Sequence, residues 1–250
     1  MSIMAFQYKM VDDAPILCAF NREERYDRAS QAPKIQSGRP RVICGIDRKS
    51  GGTWFGVNQH SMFCCCISRI KRDQPYSPRS RGLLCRELLN CRTAEEAAQM
   101  AAQELATGIY AGANYICGDL NSAHCVYGGN RIEVIDIKPG LHIFSTGNMD
   151  DYNDDRQEFC RRQLTLQRLD SSVAFLAVTS RTFSRKAEAP GRRSLVVEGE
   201  EYGTVSSLLL SLPATKHGAI LQYAPGNPGE VNYDDHSALL RQVLSTDRNS

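Results

Sequence analysis

The stretch "RVICGIDRKSGGTWFGV", residues 41–57, holds two short apolar runs on either side of a polar turn. "RVICG" and "TWFGV" are rich in β-branched and aromatic residues, which fit a pleated, half-buried surface. Gly51 and Gly52 stand between them, where a chain reversal needs backbone freedom. The reading is strand, turn, strand. The same rhythm runs outward: "SIMAFQYKM", "PILCAF" and "MFCCCIS" read as further strands in the first third. "NYICGDL", "HCVYGG", "RIEVIDI" and "GLHIFS" follow in the middle, and "YGTVSSLLLSL" with "HGAILQYA" reads as a closing hairpin.

Two helical blocks interrupt the strands. "SRGLLCRELLN" places Leu83, Leu84, Leu88 and Leu89 near helical spacing. "TAEEAAQMAAQELATG" opens on a capping box, Thr93 with Glu96, and Gly108 is its natural stop. "DDRQEFCRRQLTLQRL" and "SSVAFLAVTS" form the second block, and "SALLRQVL" a short C-terminal helix. "RDQPYSPRS" and "TFSRKAEAPGRRS" read as exposed loops. Strands outnumber helices and do not alternate strictly with them, which points away from a doubly wound parallel sheet. The expected fold is α+β: two antiparallel sheets packed together with helices outside, a four-layer αββα sandwich. No linker separates two halves, so one domain is expected over residues 1–225, with 226–250 as a flexible tail carrying the short helix.

Composition excludes little but guides the rest. The 250 residues are 42% hydrophobic and 23% charged, with a net charge of +2, so no bulk electrostatic force favours nucleic acid. No window approaches the length of an apolar membrane span, and "MSIMAFQYKMVDD" lacks the basic leader of an export signal. A cytoplasmic location is the expectation. The ten cysteines contain no CxxC pair. Cys64, Cys65 and Cys66 are consecutive, and neighbours on a strand point to opposite faces, so they cannot converge on one ion. They read as reduced, apolar core residues; Cys85 and Cys91 are placed on one helix without sharing a face. No metal and no cofactor is expected. P-loop, GxGxxG, GxSxG and HExxH motifs are all absent, and the five histidines stand alone in sequence.

Two stretches carry chemistry. "FNREERYDR", residues 20–28, puts six charges and an Asn directly after an apolar run, either a solvated turn or the lining of a site. Arg69, Lys71, Arg72, Arg79 and Arg81 crowd a loop that leads into a helix; this suits a phosphate or carboxylate, against the plainer reading of a solvated basic loop.

The order "NREE", "GGTWFGV", "PRSRG", "YGTVSS" resembles the NRDE family, that of the transport-and-Golgi-organisation protein and its bacterial relatives, over most of the chain to about residue 212. The resemblance implies a fold similar to N-terminal nucleophile hydrolases. It also implies a site in which the residue exposed by loss of the initiator Met attacks and its own α-amine is the base, sensible for an amine of pKa about 7.7–8.0. Departures cluster at that site. Ser2 stands where the family has Cys, Glu23 where it has Asp, and Ser68 and Thr146 where it has Asn, with Asn148 two residues on. Val205 replaces an Arg. The frame residues Gly51, Gly52, Trp54, Gly56, Arg81, Gly82, Tyr202 and Gly203 remain.

Two functions compete on that resemblance. The first is a carrier of an amphipathic anion, of acyl-CoA, lipid or haem type, with weak or no catalysis. Trp54, Arg69, Arg79 and Arg81 would bind the ligand, its apolar end in the cleft of the sandwich. No Cys-Pro pair supports haem in particular. The second is an amidohydrolase or acyltransferase in which Ser2 attacks, Asn21, Arg22 and Glu23 orient it, and Ser68 and Asn148 supply oxyanion contacts. On either reading Asn21 and Arg22 are expected to face the first strand and brace its start.

Overall fold

The computed structural model describes residues 2–187 and 193–245. The chain divides into two compact units, Met1–Asp27 with Pro139–Ser237, and Arg28–Lys138 with Ala238–Ser250. It opens in the first unit with strands β1 (Ile3–Tyr8) and β2 (Ile16–Arg25). It then builds the second unit from β3 (Ser30–Gln36), β4 (Val42–Asp47), β5 (Phe55–Asn58) and β6 (Phe63–Ser68), helices α1 (Arg81–Leu88) and α2 (Ala94–Ala106), and strands β7 (Ala113–Gly118), β8 (Ala123–Gly128) and β9 (Ile132–Asp136). β10 (Gly140–Phe144), α3 (Asp155–Thr165), α4 (Ser172–Phe183), β11 (Tyr202–Leu212), β12 (Ile220–Ala224) and β13 (Asp234–Asp235) return to the first unit, and α5 (Ser237–Leu244) ends the described chain.

The expected α+β class is found: each unit is one wholly antiparallel sheet. The first runs β10-β1-β2-β11-β12-β13 and the second β3-β4-β5-β6-β7-β8-β9. Sequence-adjacent strands are mostly neighbours, as short hairpin connections require. β3 was not anticipated, because Pro33 interrupts it. A proline removes a ladder donor and is tolerated at an edge, and β3 is an edge strand whose pairing with β4 slips between Gln31 and Lys34. Residues 226–245, expected as a tail, contribute β13, paired to β12, and α5, whose Leu240, Val243 and Leu244 are buried.

In the first unit α3 and α4 cover one sheet face. Ile3, Ala5, Leu17, Ala19, Ile143 and Leu209 meet Cys160, Leu164, Phe175 and Phe183 there. Strand alternation sends Met4, Phe6, Cys18 and Phe20 to the opposite face. In the second unit Cys44, Cys64, Tyr115, Cys117 and Val126 meet α1 and α2. The helix side of that contact is built from Leu84, Cys85, Leu88 and a row of alanines at 94, 97, 98 and 101. Alanine lets α2 lie close to the sheet.

The thiols are free and almost all buried. Cys64 Sγ lies 3.7 Å from Cys85 Sγ and 3.8 Å from Cys117 Sγ, while Cys65 points away from that layer. Cys91 lies beyond the end of α1, so it shares no helix with Cys85. The capping box at α2 is half realised. Thr93 Oγ1 accepts from Glu96 N, but the Glu96 carboxylate accepts from Arg92 N rather than Thr93 N. Gly108 stops the helix at φ +77°, a left-handed conformation cheap only for glycine.

The "GGTWFG" turn has a packing reason. A Cβ on Gly52 would lie 2.2 Å from the carbonyl carbon of Gly82, so the two glycines let the turn touch the start of α1. Thr53 N donates to Gly82 O across that contact. The Trp54 ring covers Gly45, where a Cβ would sit 2.4 Å from the indole.

Candidate functional site

"FNREERYDR" is not a turn. β2 continues through Arg25, and Asn21, Arg22 and Glu23 are buried within it. Asn21 and Glu23 continue the face of Leu17 and Ala19, toward α3 and α4. Asn21 Nδ2 donates to the carbonyls of Phe183 and Leu195, each at 2.9 Å. These are the last residue of α4 and a residue of the segment that follows it, so one amide ties the sheet to the end of a helix.

Glu23 is the centre of a buried network. Its side chain is fully buried, and Oε1 accepts from Arg156 Nη2 at 2.7 Å and from Thr204 Oγ1 at 3.2 Å. The second carboxylate oxygen, Oε2, has no hydrogen-bond partner among the described residues. Burial pushes the Glu23 carboxyl up from its ordinary range, against the opposing pull of Arg156. Tyr202 Oη donates to the Glu23 carbonyl, and Glu23 N donates to Ser2 Oγ at 3.2 Å. Arg156 also donates to Leu195 O at 2.8 Å, the carbonyl that Asn21 holds.

Arg22 points to the opposite face, buried, with Glu24 at 3.6 Å. The β1–β2 register pairs Ile3 with Asn21 and Met4 with Phe20; continued by one residue it sets Ser2 across from Arg22. Val205, where the family's Arg would stand, is the residue skipped when the β2–β11 pairing passes from Thr204 to Ser206. Such a bulge re-aims its neighbours, and Thr204 is the neighbour that reaches Glu23.

Ser2, Asn21, Arg22 and Glu23 thus lie next to one another at the start of β1 and on β2, but Asn21 and Glu23 face one side of the sheet and Arg22 the other. Asn148 is exposed, and its carbonyl accepts from Gln157 Nε2. Gln157 also donates to Ser145 Oγ, which lies 2.5 Å from Asp154 Oδ2. Met1, on whose removal the Ser2 nucleophile depends, lies outside the described residues.

The remaining expected residues belong to the second unit. Ser68 ends β6 and is exposed. Each arginine has an internal partner. Arg69 donates to Asn114 Oδ1 and lies 4.4 Å from the centroid of the Tyr127 ring. Arg79 pairs with Glu87 at 2.7 Å and Glu104 at 3.4 Å, and Arg81 donates to Gly112 O.

Sequence reasoning missed Arg156 and Thr204. Arg156 had one signal: it is the second residue of α3, where a cation opposes the helix dipole. A charge so placed is one in use elsewhere. Two of the five histidines have carboxylate partners in space: His142 Nδ1 lies 2.7 Å from Asp150, and His124 Nδ1 3.1 Å from Asp136. A groove of about 240 Å³ between α3 and α4 is lined by Gln163, Gln167, Val178, Arg181, Thr182 and Arg185, two guanidiniums and no carboxylate.

Two antiparallel sheets, each carrying helices, with a polar cluster at the start of the first strand, define a fold of the N-terminal nucleophile hydrolase type. It is similar to the Caenorhabditis elegans N-acylethanolamine-hydrolyzing acid amidase ortholog, with a TM-score of 0.56, 14% identity, and coverage of 84% of this chain and 92% of that one. It is also similar to penicillin V acylase from Agrobacterium tumefaciens, with a TM-score of 0.52, 10% identity, and coverage of 90% and 83%. Residues 1–221 match the profile of the family Transport and Golgi organisation 2, and the chain belongs to that family. The Homo sapiens Transport and Golgi organization protein 2 homolog is 27% identical over 139 residues, 52% of this chain and 50% of that protein. The chain thus spans about half the length of the curated relatives it matches.

Proposed function

We propose that the protein binds an amphipathic anion, of acyl-CoA, lipid or haem type, and that hydrolysis is weak or absent. The observation that carries this reading is the engagement of the signature side chains. The Asn21 amide is held by two carbonyls and the Glu23 carboxylate by Arg156 and Thr204. They brace the sheet against α3 and α4 rather than reaching the Ser2 hydroxyl, whose contact is with a backbone N–H. The base for the Ser2 hydroxyl would be its own α-amine once Met1 is removed, and that hydroxyl is a weaker nucleophile than the thiol the family carries there. Arg181 and Arg185, in the groove between α3 and α4, offer cations to the charged end of the ligand.

Equilibrium titration with a long-chain acyl-CoA, a free fatty acid and haemin tests this. Saturable binding to at least one, weakened about tenfold or more in Arg181→Ala/Arg185→Ala, supports the reading. No saturable binding to any of the three refutes it.

One observation favours a second reading. Ser2 Oγ sits 3.2 Å from Glu23 N, and the register sets Ser2 across from the buried Arg22. A nucleophile beside a backbone donor and a cation is the arrangement of an acyl-transfer site. On this reading Ser2, freed of Met1, attacks an amide or thioester. A covalent acyl adduct on Ser2, seen by intact mass, is its signature.

A further inference from the structure

Among the described residues no helix is long and apolar enough to cross a membrane. The second unit nevertheless carries a loop shaped for a membrane surface. "RIKRDQPYSPRSR", residues 69–81, connects β6 to α1. It holds two large apolar side chains that nothing covers: Ile70 is 75% exposed and Tyr76 fully exposed. Three polar or charged residues and a proline stand between Lys71 and Tyr76, so the two project from separate parts of one loop.

Surrounding cations are fixed without being neutralised. Lys71 donates to the Tyr110 carbonyl and Arg81 to the Gly112 carbonyl, both uncharged acceptors. Arg72 is exposed, its backbone N–H held by Asn130. The β8–β9 turn adds to the cluster: Asn130 bonds both Arg72 N and the Asp73 carboxylate, and a Cβ on Gly129 would touch Arg69. That turn carries Arg131, exposed. Arg79 is the exception, its charge matched by Glu87 and Glu104. The loop and turn therefore present Lys71, Arg72, Arg81 and Arg131 against Asp73.

We infer that this loop docks the protein on an anionic phospholipid surface, Ile70 and Tyr76 entering the headgroup layer and the cations meeting the lipid phosphates. Apolar tips rimmed by Lys and Arg are what an interfacial site requires, and neither part suffices alone. An acidic protein partner would be met by the same cations but gives no reason for an aliphatic and an aromatic side chain standing separately in water.

The test uses the full chain with vesicles of phosphatidylcholine, with and without phosphatidylserine, read by co-sedimentation. Binding is expected only to the phosphatidylserine vesicles, and weaker in ~0.5 M than in ~0.1 M salt because exposed charges are screened. Each Lys or Arg at such a surface contributes about a fivefold gain, so Lys71→Ala/Arg72→Ala is expected to weaken binding roughly 25-fold. Ile70→Ser/Tyr76→Ser is expected to weaken it with the charge unchanged. Tyr76→Trp adds a reporter whose emission shifts blue on insertion. No binding above the phosphatidylcholine background overturns the inference. So does binding that ignores Ile70→Ser/Tyr76→Ser and leaves the Tyr76→Trp emission unshifted, since that is counter-ion attraction alone. Ile70, Arg72 and Tyr76 are exposed and Lys71 is half-buried, and an unchanged melting temperature separates a binding loss from misfolding.

Discussion

Replacing Arg156 with Met asks whether the Glu23 network holds the first unit together. Arg156 Nη2 lies 2.7 Å from Glu23 Oε1 and 2.8 Å from Leu195 O, and the Glu23 side chain has no solvent exposure. Met fills similar volume, so the main loss is electrostatic. Removing one partner of a buried pair costs about 3–5 kcal/mol, because the other charge is left uncompensated. For a chain of this size that lowers the melting temperature by about 10 °C. The cost has a sign in pH. Glu23 already has a raised carboxyl pKa, and without Arg156 it rises further. A folded state that keeps a proton the unfolded state has released loses stability as pH rises, by about 1.36 kcal/mol per unit. The variant should therefore lose stability relative to wild type as the pH rises above the ordinary carboxylate range, between about pH 5 and pH 7. Urea denaturation across that range reads it directly. Glu23→Gln/Arg156→Met should recover most of the loss, since no charge remains to strand. A loss under about 1 kcal/mol, a loss independent of pH, or a double variant as poor as Arg156→Met would refute the reasoning.

Asn21→Ala removes a donor from the Phe183 carbonyl, while Leu195 O keeps Arg156, and should cost about 1–3 kcal/mol in the same denaturation assay. Gly52→Ala forces a Cβ into the Gly82 backbone and should cost about 1–3 kcal/mol, while Gly51→Ala, whose Cβ meets nothing, costs only the strain of its φ of +72°. Asp150 accepts from Arg161, Ile143 N and His142, which together hold its carboxyl below the usual range despite its burial. Its stabilising contribution is present above about pH 4 and is lost as the pH falls through the depressed value. Asp150→Asn should accordingly flatten the acid limb of the stability profile. Burial pushes the Cys91 and Cys66 thiols up to about 11 and Cys85 to about 12. Native protein at neutral pH should therefore resist thiol-directed labelling, with Cys91 and Cys66 reacting first and the buried eight only on unfolding.

The fold was legible because its signals are local. Turn glycines, β-branched runs and a helix cap act within a few residues, and they located nearly every element. β3 escaped because an edge strand tolerates the proline that argues against a strand elsewhere. The site was legible only in part. "NREE" marked the right segment, yet nothing in nine residues says that the strand continues through it. The partners of Glu23 lie 133 and 181 positions away, on α3 and β11. Pairings of that range leave no periodic trace, and the misplaced charge at the start of α3 was the one mark they made. The arginines at 69, 79 and 81 crowd together in sequence, but sequence does not give their partners: their hydrogen bonds run to Asn114, Glu87, Glu104 and Gly112 within their own unit.

The central claim is that the family signature here supports a binding fold rather than an acyl-transfer centre. Its most direct test is product formation from long-chain amide and thioester substrates by wild type and Ser2→Ala, read by mass spectrometry beside ligand binding by the same two proteins. The account predicts equal binding, with no turnover in wild type that Ser2→Ala removes. Turnover in wild type that vanishes in Ser2→Ala while binding persists would contradict it.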